Sequence, residues 1–328
     1  MAKNKNQKVK VNKQRKNKGK KTYKVRNWHE YNESLKQRGS IEVWINEEAL
    51  NHWKAKPSFK PGAQVIYSDL AIQATLQLGK VFHQKLRQTE GLIHSIFRQM
   101  AVNLPVPDYS TLSRRSSIIM VKLPKKSKKG EKLIIVVDST GLKVYGEGEW
   151  KVRQHGYSKR RTWRKAHLAI TPDGEIRAAK LTGNETADSD VFEQLLNQEK
   201  GNIDSLAGDG GYDKEKVYQT CRNRKIKHIL IPPQQNAKIK FNGNLQSEPH
   251  PRDENLRQIR EIGRKRWKEK VGFHIRSLGE TAMFRFKTIL GDRLNARKFE
   301  NQITEFLISA SILNKMMTLG MPNSYPVV

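Results

Sequence analysis

Leu133-Ile-Ile-Val-Val-Asp138-Ser-Thr140 sets the architecture of this chain. Five aliphatic residues in succession suit a strand buried on both faces of a sheet, and a strand is predicted over Lys132–Val137 with Asp138 closing the run. Beyond Asp138 the chain alternates between strand and helix signals. Lys165-Ala-His-Leu-Ala-Ile-Thr171 and Glu175-Ile-Arg-Ala-Ala-Lys-Leu-Thr182 flank Pro172-Asp-Gly174, a hairpin pattern. Ser189–Gln198 reads as a helix, Ile203–Ala207 as a strand, Lys214–Arg224 as a helix and His228–Ile231 as a strand. Residues 234–258 read as a polar loop, followed by long helices over 259–290 and 301–317. The class is mixed α/β.

Two acids stand where such folds place chemistry. Ligands of open α/β sheets gather at the carboxyl ends of strands. Asp138 ends one predicted strand, and Asp209 follows another inside Gly208-Asp-Gly-Gly-Tyr-Asp213, where glycines permit a tight turn and close approach of a ligand. Either acid alone could be a turn former. A third lies in Phe273-His-Ile-Arg-Ser-Leu-Gly-Glu280-Thr-Ala-Met-Phe-Arg-Phe-Lys287. With ~100° per residue and Arg276 at zero, Glu280 falls near ~40°, Lys287 near ~20° and Phe273 near ~60°. Leu278, Ile289, Ala282, Ile275 and Phe286 fall on the opposite, core-facing side. Spacing alone leaves open a solvated face with intrahelical ion pairs. Three carboxylates are also the oxygen ligands that a pair of Mg²⁺ ions needs for in-line displacement at phosphorus.

Composition narrows the partners. The 328 residues carry 63 Lys and Arg against 32 Asp and Glu, a net charge of +31, which points to a polyanion, usually nucleic acid. A single cysteine, Cys221, excludes an internal disulfide and a zinc finger. No aliphatic run approaches the ~20 residues of a membrane helix, and the opening residues lack a secretory segment. A reducing, nucleic-acid-containing compartment is therefore expected.

Residues 1–26, with ten lysines, two arginines and no acid, are expected to form a disordered basic tail that binds phosphates. Residues 27–122 read as a helical domain. Ser68 caps a helix carrying Leu70, Ala74 and Leu78, Leu86–Met100 forms a second, and Asp108 or Ser110 caps a third. That last helix presents Ser110, Thr111, Ser113, Arg114 and Arg115, types suited to reading a DNA groove. The unit is helix-turn-helix-like, although its connection exceeds the usual 3–4-residue turn. Residues 123–131 form a basic linker, 132–317 the α/β domain and 318–328 a C-terminal tail. Between the first strand and the hairpin, Lys151–Lys165 mixes Arg153, Lys159, Arg160, Arg161 and Arg164 with Tyr157 and Trp163, a composition fit for phosphate contact and base stacking. Trp267, set among Arg264, Lys265, Arg266 and Lys268, invites the same interpretation. His155, His167 and His274 lack metal-ligand spacing.

Taken together, residues 64–315 resemble bacterial insertion-sequence transposases of the DDE type, most closely the fifth insertion-sequence family. Tyr67-Ser-Asp-Leu-Ala-Ile, Leu86-Arg-Gln-Thr-Glu-Gly and Leu104-Pro-Val-Pro-Asp-Tyr-Ser-Thr-Leu-Ser-Arg-Arg are similar to its DNA-binding region. Val137-Asp-Ser-Thr-Gly-Leu and Gly208-Asp-Gly-Gly-Tyr-Asp resemble its first two acidic motifs, and the glutamate helix its Tyr-x₂-Arg-x₃-Glu-x₆-Lys signature, with Phe273 in place of the tyrosine. The resemblance implies a ribonuclease-H-like mixed sheet flanked by helices, preceded by the helical DNA-binding domain. It implies Asp138, Asp209 and Glu280 as catalytic ligands of two Mg²⁺ ions, for which Mn²⁺ could substitute. Arg276 and Lys287 would hold phosphates of the transposon ends. It further implies binding of double-stranded DNA (terminal inverted repeats and target), strand cleavage and 3′-hydroxyl transfer, a homodimer pairing two ends, and a cytoplasmic, nucleoid-associated location. The alternative is a repurposed transposase that only binds DNA.

Overall fold

The computed structural model describes residues 22–57, 59, 61–62, 64–123, 131–144, 163–240 and 249–327. Its centre is a mixed sheet. Strands β2 (Leu133–Val144), β3 (Trp163–Ile170) and β4 (Ile176–Gly183) form an antiparallel meander; β5 (Ile203–Ala207) and β6 (His228–Leu230) extend it in parallel on the other side of β2. The spatial order is β4-β3-β2-β5-β6, and the two-residue β7 (Arg293–Leu294) pairs with the end of β2. This order, flanked by helices, is the ribonuclease-H-like arrangement.

Alternation along β2 sorts its side chains into two cores. Leu133, Ile135 and Val137 pack with α7 (Asp188–Leu196) and α8 (Glu215–Asn223), through Val191, Phe192, Leu195, Val217, Tyr218 and Cys221. Val136 and Leu142 face the other way, toward α11 (Ser277–Leu290) and α12 (Phe299–Leu319). The N-terminal helices join this second core. Trp44 of α2 (Ile41–Trp44), Ala49 of α3 (Glu47–Asn51), Leu78 of α4 (Asp69–Val81) and Phe97 of α5 (Leu86–Gln99) share it with Phe306, Ile308 and Leu313. A buried bond from Gln77 to the Ser311 hydroxyl (2.9 Å) stitches α4 to α12. The helical region is thus built onto the α/β half through a common apolar interior. Helix α12 also covers edge strand β4, where the Asn314 amide both donates to and accepts from the Ile176 backbone at 2.8 Å.

Several expectations need correction. The first strand does not stop before Asp138; it continues to Val144 because β3 pairs with it as far as Lys143. The long helix over 259–290 is three pieces. Gly263 (φ 82°) ends α9 (Pro251–Ile262), and Gly272 (φ 68°) separates α10 (Arg264–Lys270) from a 3-10 turn at Phe273–Arg276 that leads into α11. Positive φ cannot continue an α-helix, and glycine supplies it without strain. Helix α9 also takes up the end of the expected 234–258 loop, with Pro251 in its first turn and the His250 ring accepting the Arg252 N–H. Both expected tails contribute structure. Thr22–Val25 (β1) pairs antiparallel with Ser324–Val327 (β8), and the Arg26 guanidinium lies over the Tyr325 ring. Composition could not show this, since the two ends stabilise each other only once they are paired. Residues 1–21 lie outside the described residues.

Candidate active site

Topology brings the first two acids together. Asp138 lies opposite Leu168 on β3, while Val136, two residues earlier, pairs with Ala207, the last residue of β5. The chain leaving β5 therefore emerges beside Asp138, and Asp209 is its second residue beyond the strand. Gly208 makes the turn possible: a Cβ there would stand 3.1 Å from both Tyr212 and Val137. One oxygen of Asp209 accepts the Gly211 N–H (2.8 Å) and starts the 3-10 turn Gly210–Tyr212. The turn-forming role open to this acid from its sequence is thus real, and it uses Oδ1 only. Asp138 in turn accepts the N–H of Ser139 at 2.9 Å.

Glu280 arrives on α11, which seats directly on β2 through Gly279. A Cβ on Gly279 would lie 3.0 Å from Asp138 Cβ and 3.1 Å from its Oδ2. Glycine is the residue that allows this contact, and its neighbour is the third acid. Burial pushes the Asp138 carboxyl above the usual range; Arg276 opposes this, and the charges of Asp209 and Glu280 add to it. The three acids and Arg276 share one electrostatic neighbourhood. Arg276 bonds Glu280 at 2.7 Å, the i,i+4 pair expected from spacing. Lys287 follows two turns along the same helix. Ala282, Met283, Phe286 and Leu290 form the helix's buried stripe.

Phe273 departs from the helical-wheel expectation. The 3-10 turn rotates it away from the Glu280 face, and it packs on Trp267 (6.0 Å between centroids) with Lys268 over its ring. Trp267 is itself fully buried, so its role is in the core rather than stacking on bases.

The oxygen chemistry of the donor set fits a hard divalent cation, but Glu280 is turned to Arg276. Among the described residues, no group of three acidic, histidine or cysteine side chains stands at metal-holding spacing.

The other expected DNA contacts are dispersed. The Asp108 carboxylate accepts the hydroxyls and backbone N–H groups of Ser110 and Thr111, which hold its pKa well below the usual range. Asp108 thereby caps α6 (Tyr109–Arg115), and the two hydroxyls are spent on that cap. Arg115 bonds the Tyr67 carbonyl (2.9 Å) and Asp69 (2.5 Å), tying α6 to α4. Ser113 and Arg114 are exposed. Arg164 bonds Gln302 at 2.8 Å and lies over the Phe299 ring. Trp163 lies against Gly141, with its Cε3 3.0 Å from where a Cβ would stand. Arg160 and Arg161 fall outside the described residues.

One acid at the site carries no mark in the sequence. Asp188 opens α7 and contacts Lys165 Nζ (3.0 Å) and His167 Nδ1 (3.2 Å). Burial opposes its ionisation, but the neighbouring side chains of His167, Ser139 and Lys165 win and bring its pKa down to about 2. The buried Tyr212 phenol is raised well above its usual pKa, first by burial, then by Asp188, Asp138 and Asp209, so all three acids surround it. In sequence Asp188 looks like any acid in a helix first turn. Its partners come from strand register, which no local pattern displays.

A mixed sheet with one acid in its central strand, a second two residues beyond the neighbouring strand and a third on a crossing helix is the layout of a class of nucleic-acid enzymes. Two family models, each described as a transposase DDE domain, match residues 36–147 and 129–315. The second spans more than half of the chain, and the chain belongs to the DDE transposases. Transposition, DNA binding and nuclease chemistry are what that family implies. Among the described residues no helix is long and apolar enough to cross a membrane.

Proposed function

We propose that this chain is the transposase of an insertion sequence of the fifth family, that it binds the terminal inverted repeats, and that it cleaves and joins DNA at a site built from Asp138, Asp209 and Glu280. The observation that supports this is the packing of Gly279, the neighbour of Glu280, against Asp138 on the central strand. Those carboxylates would hold two Mg²⁺ ions, with Mn²⁺ able to replace them; bound there, the ions supply Lewis-acid activation of the attacking oxygen and stabilisation of the leaving one.

The chain's own residues do the rest. Asp138 stands on the central strand and Asp209 in the tight turn that leaves its neighbour, both rigid supports for their oxygens. Arg276 and Lys287 project from one helix and present cations to phosphates of the transposon end. Water attacks the first phosphodiester in line, and the freed 3′-hydroxyl then attacks target DNA, without a covalent enzyme intermediate. Ser113 and Arg114, exposed on α6, supply end contacts with the basic segment 151–162, and a homodimer pairs the two ends in the nucleoid of a bacterial cytoplasm.

The test is Mg²⁺-dependent nicking of end-bearing duplex DNA by the full chain. Asp138→Asn, Asp209→Asn and Glu280→Gln should each abolish product while leaving end binding intact. Active triple-site variants refute the assignment. End binding with no product in any divalent metal would instead mark a transposase-derived DNA-binding protein.

A further inference from the structure

Asp138 and Ser139 are joined by one peptide but face opposite sides of the sheet. Asp138 lies under α11, against Gly279, whereas Ser139 belongs to the side covered by α7. The peptide between them is also the donor that orients the acid, since the Ser139 N–H bonds Asp138 Oδ1 at 2.9 Å. Whatever fixes Ser139 from the α7 side therefore fixes the carboxylate on the other.

The structure contains such a fixture. Ser139 lies directly opposite His167 on β3, so their side chains share a face. Asp188, at the start of α7, reaches both of them, and Lys165 besides. The fully buried His167 is held from behind by the Thr182 hydroxyl of β4, 2.9 Å from its Nε2. Its Nδ1, 3.2 Å from Asp188, is off the line of a good hydrogen bond. Lys165 Nζ is tethered again by the Thr186 carbonyl at 3.3 Å. The polar chain runs Thr182–His167–Asp188–Ser139 across three strands and a helix start. An acid serving only the helix dipole needs no buried histidine or second cation. Asp188 Oδ1 and His167 Nδ1 are buried without a hydrogen-bond partner among the described residues, so the acid is held chiefly by the charge of Lys165 at 3.0 Å, and a buried acid kept at that cost calls for a role.

We propose that Asp188 is a positioning residue for Asp138, acting through Ser139 from the opposite face of the sheet. It touches neither substrate nor metal. The inference rests on Asp138 being a catalytic ligand. Loss of a supporting hydrogen bond behind a ligand typically costs ~10–100-fold in metal affinity or activity.

The experiment compares full-length wild type, Asp188→Asn, Ser139→Ala and Ser139→Thr, each bound to an end duplex. Mn²⁺ affinity is measured by titration calorimetry and nicking rate against Mg²⁺ concentration. Asp188→Asn and Ser139→Ala should weaken Mn²⁺ binding and raise the Mg²⁺ needed for half-maximal nicking about tenfold or more, with end-duplex affinity unchanged. Ser139→Thr, which keeps the hydroxyl, should restore both. A purely structural role would lower the unfolding midpoint without changing the metal requirement. Wild-type metal affinity in Asp188→Asn overturns the inference while leaving the active-site assignment standing. Should that variant fail to fold, wild-type metal affinity in Ser139→Ala overturns it equally. A wild-type protein that neither binds Mn²⁺ nor nicks DNA overturns the assignment itself, and the inference with it.

Discussion

Gly279→Ala decides whether α11 is seated on the central strand β2. In an ordinary helix interior this change is stabilising, by ~1 kcal/mol, because alanine loses less backbone entropy. Here the new methyl would meet Asp138 Cβ at 3.0 Å, Asp138 Oδ2 at 3.1 Å and Val136 Cγ1 at 3.4 Å. The closest atom is next to the backbone of a central strand and cannot swing aside. The carboxylate is also restrained, through Oδ1, by Ser139. The helix must retreat by a few tenths of an ångström. Overpacking of this kind costs ~1–3 kcal/mol, so the two terms leave a net loss of about 1 kcal/mol. The same retreat carries Glu280 away from Asp138. Since ~1 Å of misplacement can cost a hundredfold in rate, a loss of about tenfold in nicking is expected. Urea denaturation of the full chain reads the first quantity and end-duplex cleavage the second. A variant that is about 1 kcal/mol more stable and fully active would refute the seating of the helix, and with it the route by which the third acid reaches the site.

Three particular contacts make further outcomes testable. Arg276→Gln should change stability by less than ~0.5 kcal/mol, because its partner Glu280 is largely exposed, yet nicking should fall sharply; a proportionate loss of both, by urea titration and cleavage assay, would make Arg276 structural. Asp188 has a folded pKa depressed to about 2, so its contribution is fully present above the unfolded value of ~4 and is lost as pH falls toward 2. On the order of 2 kcal/mol should separate wild type from Asp188→Asn at about pH 6 and shrink by about pH 2.5 in denaturation experiments; a constant gap contradicts the ion pairing. The two arginines of α6 should part company: Arg115→Ala should lower the unfolding midpoint because it breaks bonds to Tyr67 and Asp69. Arg114→Ala should leave the midpoint alone but reduce end affinity and the salt slope by about one unit, measured by fluorescence anisotropy at several salt concentrations.

The meander and the parallel strands are legible in the sequence because each is a short apolar run bounded by turn residues. Pro172-Asp-Gly174 sits at the hairpin, and Ile203–Ala207 is β5 to the residue. Asp138 and Asp209 stand out only in company with Glu280, since either alone reads as a turn former and Asp209 does start a turn. The Arg276–Glu280 relation survives although the helix begins one residue after Arg276, because that residue already has helical dihedrals. The placement of Phe273 does not, since a 3-10 turn rotates more per residue than the wheel assumes. Gly263 and Gly272 are hidden inside a charged, helix-favouring stretch whose composition says nothing about φ. The pairing of β1 with β8 joins residues some 300 apart, and the Ser139–His167 register depends on a hairpin alignment; neither leaves a local trace.

The resting arrangement of Glu280 also has a physical logic. Three carboxylates in one neighbourhood repel, and burial of Asp138 sharpens the cost. Arg276 answers part of that charge: it bonds Glu280 and lowers the Asp138 pKa at the same time. Its partner is 60% exposed, so the pair is worth only ~0.3–0.5 kcal/mol. A site that held its acids in a tight ligating cluster would need a cation at all times. A third acid held loosely on a guanidinium has one charge of the three answered, and little is lost when the pair opens. The freed guanidinium then stands beside the acids with its fork available to a phosphate. Under the proposed function, the basic partner of Glu280 and the residue that holds a phosphate are one side chain, with the two tasks falling at different moments.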